Sequence, residues 1–260
     1  MQGRLIDSPN GQLDWFPQDS WEDEFNISSE LGIDFIELVS EKNHNKENPI
    51  WSKKGRLKIK HLIKKNKLKQ PYLCFNFMMN NSILKQTTLL YFKELLEVCN
   101  DLKIKNIILP FFDKSLITDS NFKIISEQIK SISKLALKNK ISIILETAIS
   151  GNKMMKFINN VNMENVSILV DSGNYFEFGF DLVKDLNLFK NFIGHVHIKD
   201  KDNNGNNVVL GTGGVDFKVF FDELKKINYN YNYTFETTRG NNALNNARFN
   251  LLFFKKHFNI

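Results

Sequence analysis

The sequence predicts an α/β fold, a (β/α)8 barrel (TIM barrel), from three observations. Short runs of β-branched and apolar residues recur along the chain and are bounded by turn-forming residues. Segments with helical periodicity lie between these runs, such as "LLYFKELLEVCNDL" and "FKIISEQIKSISKLALKN". Eight strand–helix units fit into 260 residues at about 32 residues each, which is typical of such a barrel.

The eight predicted strands follow one another in a regular order. They cover residues 1–5, 34–39, 71–77, 104–110, 141–146, 166–171, 192–198 and 233–237. Near-continuous apolar strands separated by helices are typical of a parallel sheet that helices cover. A doubly wound open sheet is the alternative, although that fold usually has fewer strands. No linker or shift in composition divides the chain, so we expect a single domain over residues 1–260.

The composition is that of an ordinary globular protein, with 42% hydrophobic and 25% charged residues. The N-terminal stretch "MQGRLIDSPNGQLDW" lacks the apolar segment of a secretory signal, and no apolar run approaches the roughly 20 residues of a membrane span. Cys74 and Cys99 are the only cysteines, too few for a disulfide framework. The cytoplasm is therefore the predicted compartment.

The net charge of +6 raises the question of a nucleic-acid partner. Only four of the 35 basic residues are arginine, and the lysines are scattered through helical segments such as "KIKHLIKKNKLKQ". A surface that binds the phosphate backbone is more often rich in arginine and interleaved with aromatic residues. We therefore expect solvated helix faces, a small-molecule ligand, and neither a nucleic-acid nor a membrane partner. The oligomeric state stays open, with a homodimer as one option.

Candidate metal ligands end four consecutive predicted strands: Glu146, Asp171, His197 and Glu236. The carboxyl ends of the strands form the active-site mouth of such barrels. Three carboxylates placed together would repel one another unless a cation were present. This set of oxygen and nitrogen donors suits one divalent ion, Mn²⁺, Mg²⁺, Co²⁺ or Zn²⁺. His195 shares a strand face with His197, and a hydrogen-bonded structural role is the simpler interpretation of it.

The chain resembles the sugar phosphate isomerase/epimerase group of xylose isomerase-like TIM barrels. The resemblance runs almost end to end and depends on the order of these motifs: "MQGRL", "FPQDSWEDEF", "LGIDFIEL", "LPFFDKS", "ILET", "VDSGN", "HVHIKDK", "LGTGGVDF" and "FETTRG". It implies that Glu146, Asp171, His197 and Glu236 bind one divalent metal, with His197 rather than His195 as the imidazole ligand.

The resemblance also implies a reaction, in which a proton moves at a carbon next to a sugar carbonyl. A metal stabilises the enediolate as a Lewis acid while carboxylates take and return the proton. Glu146 and Glu236 are the candidate catalytic pair. Ketose 3-epimerases of this superfamily have a glutamate and a histidine where this chain has Asn152 and Asn174, so their mode of binding an unmodified ketose is not expected here.

Arg4 and Arg239 follow strands that are neighbours in a closed barrel, and guanidinium groups are preferred clamps for phosphate. The backbone of "LGTGG" and the Lys199 ammonium could assist such a clamp. The alternative is that the arginines pair with rim carboxylates or close the barrel seam. Further candidates for substrate contact are the side chains Asn174, His195, Asn76, Glu37 and Asp113, for which solvated or structural roles are the alternative.

Three other functions stand beside the isomerase prediction. A dehydratase of a polyol or keto acid would use the same metal and base but eliminate water. A non-catalytic sugar-binding barrel is opposed by the intact ligand set. An endonuclease IV type of DNA repair enzyme needs three zinc ions and additional histidines. This chain has Asn174 at one of those positions and no histidine between His197 and His257, which excludes that function.

Overall fold

The computed structural model describes residues 1–258, which form a parallel barrel with helices on its outside. The barrel strands are Glu37–Ser40 (β1), Tyr72–Phe75 (β2), Asn106–Phe111 (β3), Ser142–Thr147 (β4), Val166–Asp171 (β5), Ile193–Ile198 (β6) and Tyr233–Phe235, which is β9 because a small hairpin precedes it. The hairpin strands are Asp200–Lys201 (β7) and Asn207–Val208 (β8). The barrel strands pair in chain order, β1-β2-β3-β4-β5-β6-β9, and all these pairs are parallel.

Helices follow the strands and cover the outer surface of the barrel. They are Asp23–Leu31 (α1), Lys53–Lys65 (α2), Phe77–Asn81 (α3), Gln86–Leu102 (α4), Phe122–Lys138 (α5), Gly151–Val161 (α6), Ser172–Glu177 (α7), Leu182–Phe189 (α8), Phe217–Lys226 (α9) and Ala243–Phe258 (α10). In α5 the buried residues Ile125, Ile129, Ile132 and Ala136 form one stripe, the spacing expected of a helix that packs on a sheet. Among the residues described, no helix combines the length and apolarity that a membrane crossing requires.

The first predicted strand, residues 1–5, is not a regular strand. The segment nevertheless lies between β9 and β1, since the Gln2 amide donates to the Phe235 carbonyl (3.2 Å) and the Glu37 amide to the Met1 carbonyl (2.7 Å). Gly3 and Arg4 then take positive φ angles of 66° and 64°, which end the extended ladder. The prediction of a strand is therefore wrong in detail, although the segment closes the barrel where a first strand would. The other seven predicted strands overlap observed ones.

Alternation of side chains along the strands positions the site. A cluster of buried side chains separate from the main core consists of Phe35, Tyr72, Cys74, Ile108, Ile144 and Leu169. Residues two positions later on a strand point to the same side. Glu146 therefore lies above Ile144, Asp171 above Leu169, and His197 above His195, all towards the carboxyl ends of the strands.

Candidate metal centre

Four side chains from four strand ends meet at the mouth of the barrel. Glu146 lies on β4, Asp171 ends β5, His197 lies on β6, and Glu236 follows β9 directly. One donor atom from each of them lies within 4.8 Å of the donor atoms of the other three. The structure therefore brings together all four predicted metal ligands.

Asp171 has one carboxylate oxygen engaged and one available. Its Oδ1 accepts the backbone N–H of Asn174 (2.8 Å) and thereby caps α7. Its Oδ2 is buried and accepts no hydrogen bond of good geometry, although the Lys199 Nζ atom lies 3.1 Å away. Buried oxygens rarely stay without a partner, so this oxygen fits a cation ligand.

His197 is oriented by a carboxylate on the opposite side of its ring. Its Nε2 atom lies 3.1 Å from Oε2 of Glu37, which is buried on β1. The Nδ1 atom faces Oε2 of Glu236 at 3.2 Å and Oδ2 of Asp171 at 3.8 Å. A metal-binding histidine commonly donates its other ring N–H to a carboxylate in this way. Nδ1 is therefore the ring nitrogen that could bind the metal.

Glu37 is held in its charged form. Burial alone would raise the pKa of Glu37, but the charge of His197 and hydrogen bonds from both histidines lower that pKa well below its usual value. The second Glu37 oxygen accepts the Gln2 side-chain N–H (3.1 Å), and His195 Nε2 lies 3.4 Å from the first. A charged residue that points inward from a buried strand needs such partners. The carboxylate of Glu37 within the apolar run "FIELV" is therefore the sequence signal for a role other than contact with solvent.

The two predicted catalytic glutamates have opposite electrostatic environments. Burial and the charge of Glu236 raise the pKa of Glu146 to about 8. Burial also acts to raise the pKa of Glu236, but the Lys199 charge, the His197 hydrogen bond and the Arg4 charge lower it well below its usual value. The Asn174 side-chain amide donates to Glu146 (2.9 Å), and Lys199 Nζ lies 2.9 Å from Glu236. The two carboxyl groups therefore differ in protonation before a metal binds.

The donor set fits a divalent cation. Three carboxylates and one imidazole supply oxygen and nitrogen donors, and the buried Lys199 ammonium provides part of the positive charge that they require. A cation bound by these donors would neutralise the same charges. Its binding has to displace a proton from Glu146, because metal ligands must be deprotonated.

Four further predicted residues line the compartment above these ligands. Arg4, Asn76, Asn174 and Lys199 surround a cavity of about 280 Å³ together with Glu146 and Glu236. His195 does not belong to this group. It is fully buried, its Nε2 lies 2.9 Å from the Thr234 hydroxyl, and its ring stacks on Tyr72 with centroids 4.3 Å apart. The assignment of His195 as a substrate contact is therefore corrected to that of a structural residue.

The two arginines are engaged by the protein itself. Arg239 donates to the backbone carbonyls of residues 6, 12, 13 and 15, so four of its N–H groups hold the loop that precedes α1. Arg4 donates to the carbonyls of Glu236 and Thr237 and to the Glu236 carboxylate (3.3 Å). These contacts match the alternative that the arginines close the barrel seam and pair with a rim carboxylate. They give no support to the predicted anion clamp.

The "LGTGG" loop also has most of its backbone donors occupied. The amides of Gly211, Gly213 and Val215 donate to the buried carboxylate of Asp200. The amides of Thr212 and Gly214 donate to backbone carbonyls of the same region. The expected contribution of this loop to phosphate binding is therefore not supported, because Asp200 is the anion that it binds.

We expect Glu37→Gln to weaken divalent metal binding by about 10- to 100-fold, since loss of an outer-shell carboxylate typically has this effect. The amide would keep the volume of the side chain but not the charge that orients His197. Titration of the metal-free protein with Mn²⁺, followed by electron paramagnetic resonance, measures the affinity. Glu41→Gln is the matched control, because Glu41 lies in the loop after β1 and accepts hydrogen bonds from Asn45 and Asn48. Equal affinities for the two variants would contradict the orienting role.

Comparison with known proteins gives one family and several distant relatives. A family model described as a xylose isomerase-like TIM barrel matches residues 25–257. A putative L-ribulose-5-phosphate 3-epimerase from Haemophilus influenzae is 23% identical over 233 residues, which are 81% of each chain.

Solved structures show the same fold at low sequence identity. The 3-keto-D-glucoside 4-epimerase from E. coli, in its apo form, superposes with a TM-score of 0.74 at 19% identity, over 93% of this chain and 96% of that one. The D-allulose 3-epimerase from Methylomonas sp. superposes with a TM-score of 0.75 at 17% identity, over 98% and 96% of the two chains.

Proposed function

Because the chain belongs to the xylose isomerase-like TIM barrel family, we propose that it is a metal-dependent carbohydrate isomerase or epimerase. The observation that supports this most is the convergence of Glu146, Asp171, His197 and Glu236 on one point at the barrel mouth. A divalent cation held there would act as a Lewis acid on a substrate carbonyl, which makes the neighbouring C–H bond more acidic.

In the proposed reaction Glu236 is the base. The neighbouring Lys199 and Arg4 charges keep its carboxylate ionised, so it can take the proton from the carbon next to the carbonyl. The electron pair of the broken C–H bond moves into the new C=C bond, and the carbonyl oxygen takes the negative charge of an enediolate.

Glu146 is the proposed acid that completes the reaction. The Asn174 amide fixes its orientation, and the carboxyl oxygen that the cation leaves free would carry the proton that it gives back. A proton given back to the same carbon from the other face yields the epimer. A proton given to the former carbonyl carbon yields the isomer, provided that the hydroxyl proton of the neighbouring carbon moves to the former carbonyl oxygen and leaves a new carbonyl behind. Both glutamates then exchange protons with solvent and regain their starting states.

Within this proposal an uncharged sugar is favoured over a sugar phosphate. The relative from Haemophilus influenzae is named for a phosphorylated substrate. In this chain the arginine and backbone donors expected to hold a phosphate are instead bonded to the protein itself. Asn152 is exposed on α6, and the Asn174 side chain is hydrogen-bonded to Glu146. Neither asparagine therefore takes the place of the glutamate or the histidine that ketose 3-epimerases have at these positions.

The test is turnover in D₂O. The Mn²⁺-loaded protein is incubated with a panel of aldoses and ketoses, and products are examined by NMR and mass spectrometry. We expect an epimer or isomer that carries close to one deuterium on the reacting carbon. A product lighter by one water would identify a dehydratase instead. A product of unchanged mass without deuterium would contradict the two-glutamate reaction.

A further inference from the structure

A second compartment adjoins the one above the metal ligands and is larger. Its volume is about 620 Å³, against about 280 Å³ for the first. The two share six lining residues: Gln2, Arg4, Leu13, Asp14, Lys42 and Asn76. The compartments therefore adjoin, and together they have the size of sites that hold ligands larger than one sugar ring.

Aromatic side chains form one wall of the second compartment. Trp15, Phe16 and Trp21 belong to the loop that precedes α1, and all three are partly exposed. Arg239 holds this loop through its backbone carbonyls and lies 5.7 Å from the Trp15 ring centre. Trp21 packs edge-on against the buried Phe25 at 5.9 Å. The aromatic wall is thus held in place, which reduces the entropic cost of binding a flat ligand ring.

The charges of the second compartment disfavour a phosphate. Its lining includes four carboxylates, Asp14, Glu24, Glu37 and Glu41, and three cations, Arg4, Arg239 and Lys42. Lys42 lies 3.3 Å from both Asp14 and Asp113, so its charge is already paired. Asn43, His44 and Asn45 add neutral polar groups at the loop after β1. Such a lining suits hydroxyl groups on an uncharged ring that stacks on an aromatic face.

We propose that the second compartment binds a second sugar ring, attached to the sugar whose carbonyl region meets Glu146 and Glu236. The substrate class is then a glycosyl-ketose or glycosyl-aldose. This inference rests on the proposed function for the placement of the reacting ring. A single ring above the metal ligands would leave the larger, aromatic-walled compartment without a ligand.

The test compares D-fructose with fructose that carries a second ring at O3 (turanose), O4 (maltulose, lactulose) or O6 (isomaltulose). Binding to the Mn²⁺-loaded protein is measured by isothermal titration calorimetry. We expect the affinity for at least one of the two-ring sugars to exceed the affinity for D-fructose by about tenfold or more. Trp15→Ala should remove most of this advantage and leave the affinity for D-fructose and the metal content unchanged.

Two further variants test whether Trp15→Ala acts only by disturbing the structure of the loop. Trp15→Phe keeps a flat ring and should retain most of the advantage. Phe178→Ala removes an exposed aromatic ring that stacks on Phe112 but lines neither compartment, and it should behave like the unmodified protein.

The outcomes separate this inference from the proposed function. If no two-ring sugar binds more tightly than D-fructose, or if Trp15→Ala preserves the advantage, the second-ring subsite is wrong. Metal-dependent deuterium exchange into a monosaccharide would in that case leave the proposed reaction standing. Two-ring binding that depends on Trp15, without turnover of any sugar, would support the subsite and overturn the reaction.

Discussion

His197→Ala is expected to leave the purified protein with little bound metal, whereas the unmodified protein should hold up to one divalent ion per chain. His197 contributes the nitrogen that faces Asp171 and Glu236, and no other side chain among the described residues adds an imidazole to that group. The loss of affinity should exceed the roughly 10- to 100-fold effect of removing an outer-shell contact. Asp171→Ala should lower the metal content in the same way, because its buried Oδ2 accepts no hydrogen bond. Elemental analysis after dialysis against a limiting Mn²⁺ concentration measures the occupancy.

His195→Ala is the control for this result. Its ring lies below the site against Tyr72 and Thr234, so its removal should lower the metal content less. Equal occupancy in the unmodified protein and in His197→Ala would refute the assignment of His197 as a ligand. An equally large loss in His195→Ala and in His197→Ala would place the metal in the neighbouring group formed by Glu37 and the two histidines.

Glu236→Gln is expected to reduce turnover on the order of 100- to 10,000-fold, the range for loss of a general base. The amide keeps the shape of the side chain but cannot accept the substrate proton. Deuterium exchange into substrate should fall in parallel with product formation, and both are read from one NMR time course. Metal content is measured on the same samples, so that loss of chemistry can be separated from loss of the ion.

Glu223→Gln provides a matched comparison for this variant. Glu223 is a buried carboxylate that lies on α9, on the outside of the barrel, and pairs with Lys226. Its substitution should leave exchange unchanged. If Glu236→Gln retains full exchange with normal metal content, another group is the base, and Glu146 would be the next candidate because it belongs to the same cluster.

The sequence by itself determined the fold class and the four metal-ligand candidates. Both follow from local regularities: alternation along a strand, helical periodicity between strands, and the rule that parallel strands end at one edge of the barrel. Glu146 and Asp171 could be placed at the mouth from their positions at the ends of apolar runs. The family resemblance then distinguished His197 from His195, which share a face of β6.

Only the tertiary structure decided which groups the long polar side chains contact. His197 and Glu37 are 160 residues apart, and Arg4 and Glu236 are 232 apart, so no local pattern reports their contact. The same holds for Arg239, which the sequence offered as an anion clamp and the structure uses to hold the loop around Trp15. The number of hydrogen bonds that a side chain can form depends on the residue type alone. Its hydrogen-bond partners depend on which distant segments the barrel brings together. Positive φ angles at Gly3 and Arg4 likewise replaced a predicted strand with an irregular closing segment, because the closure of the barrel determines the backbone there.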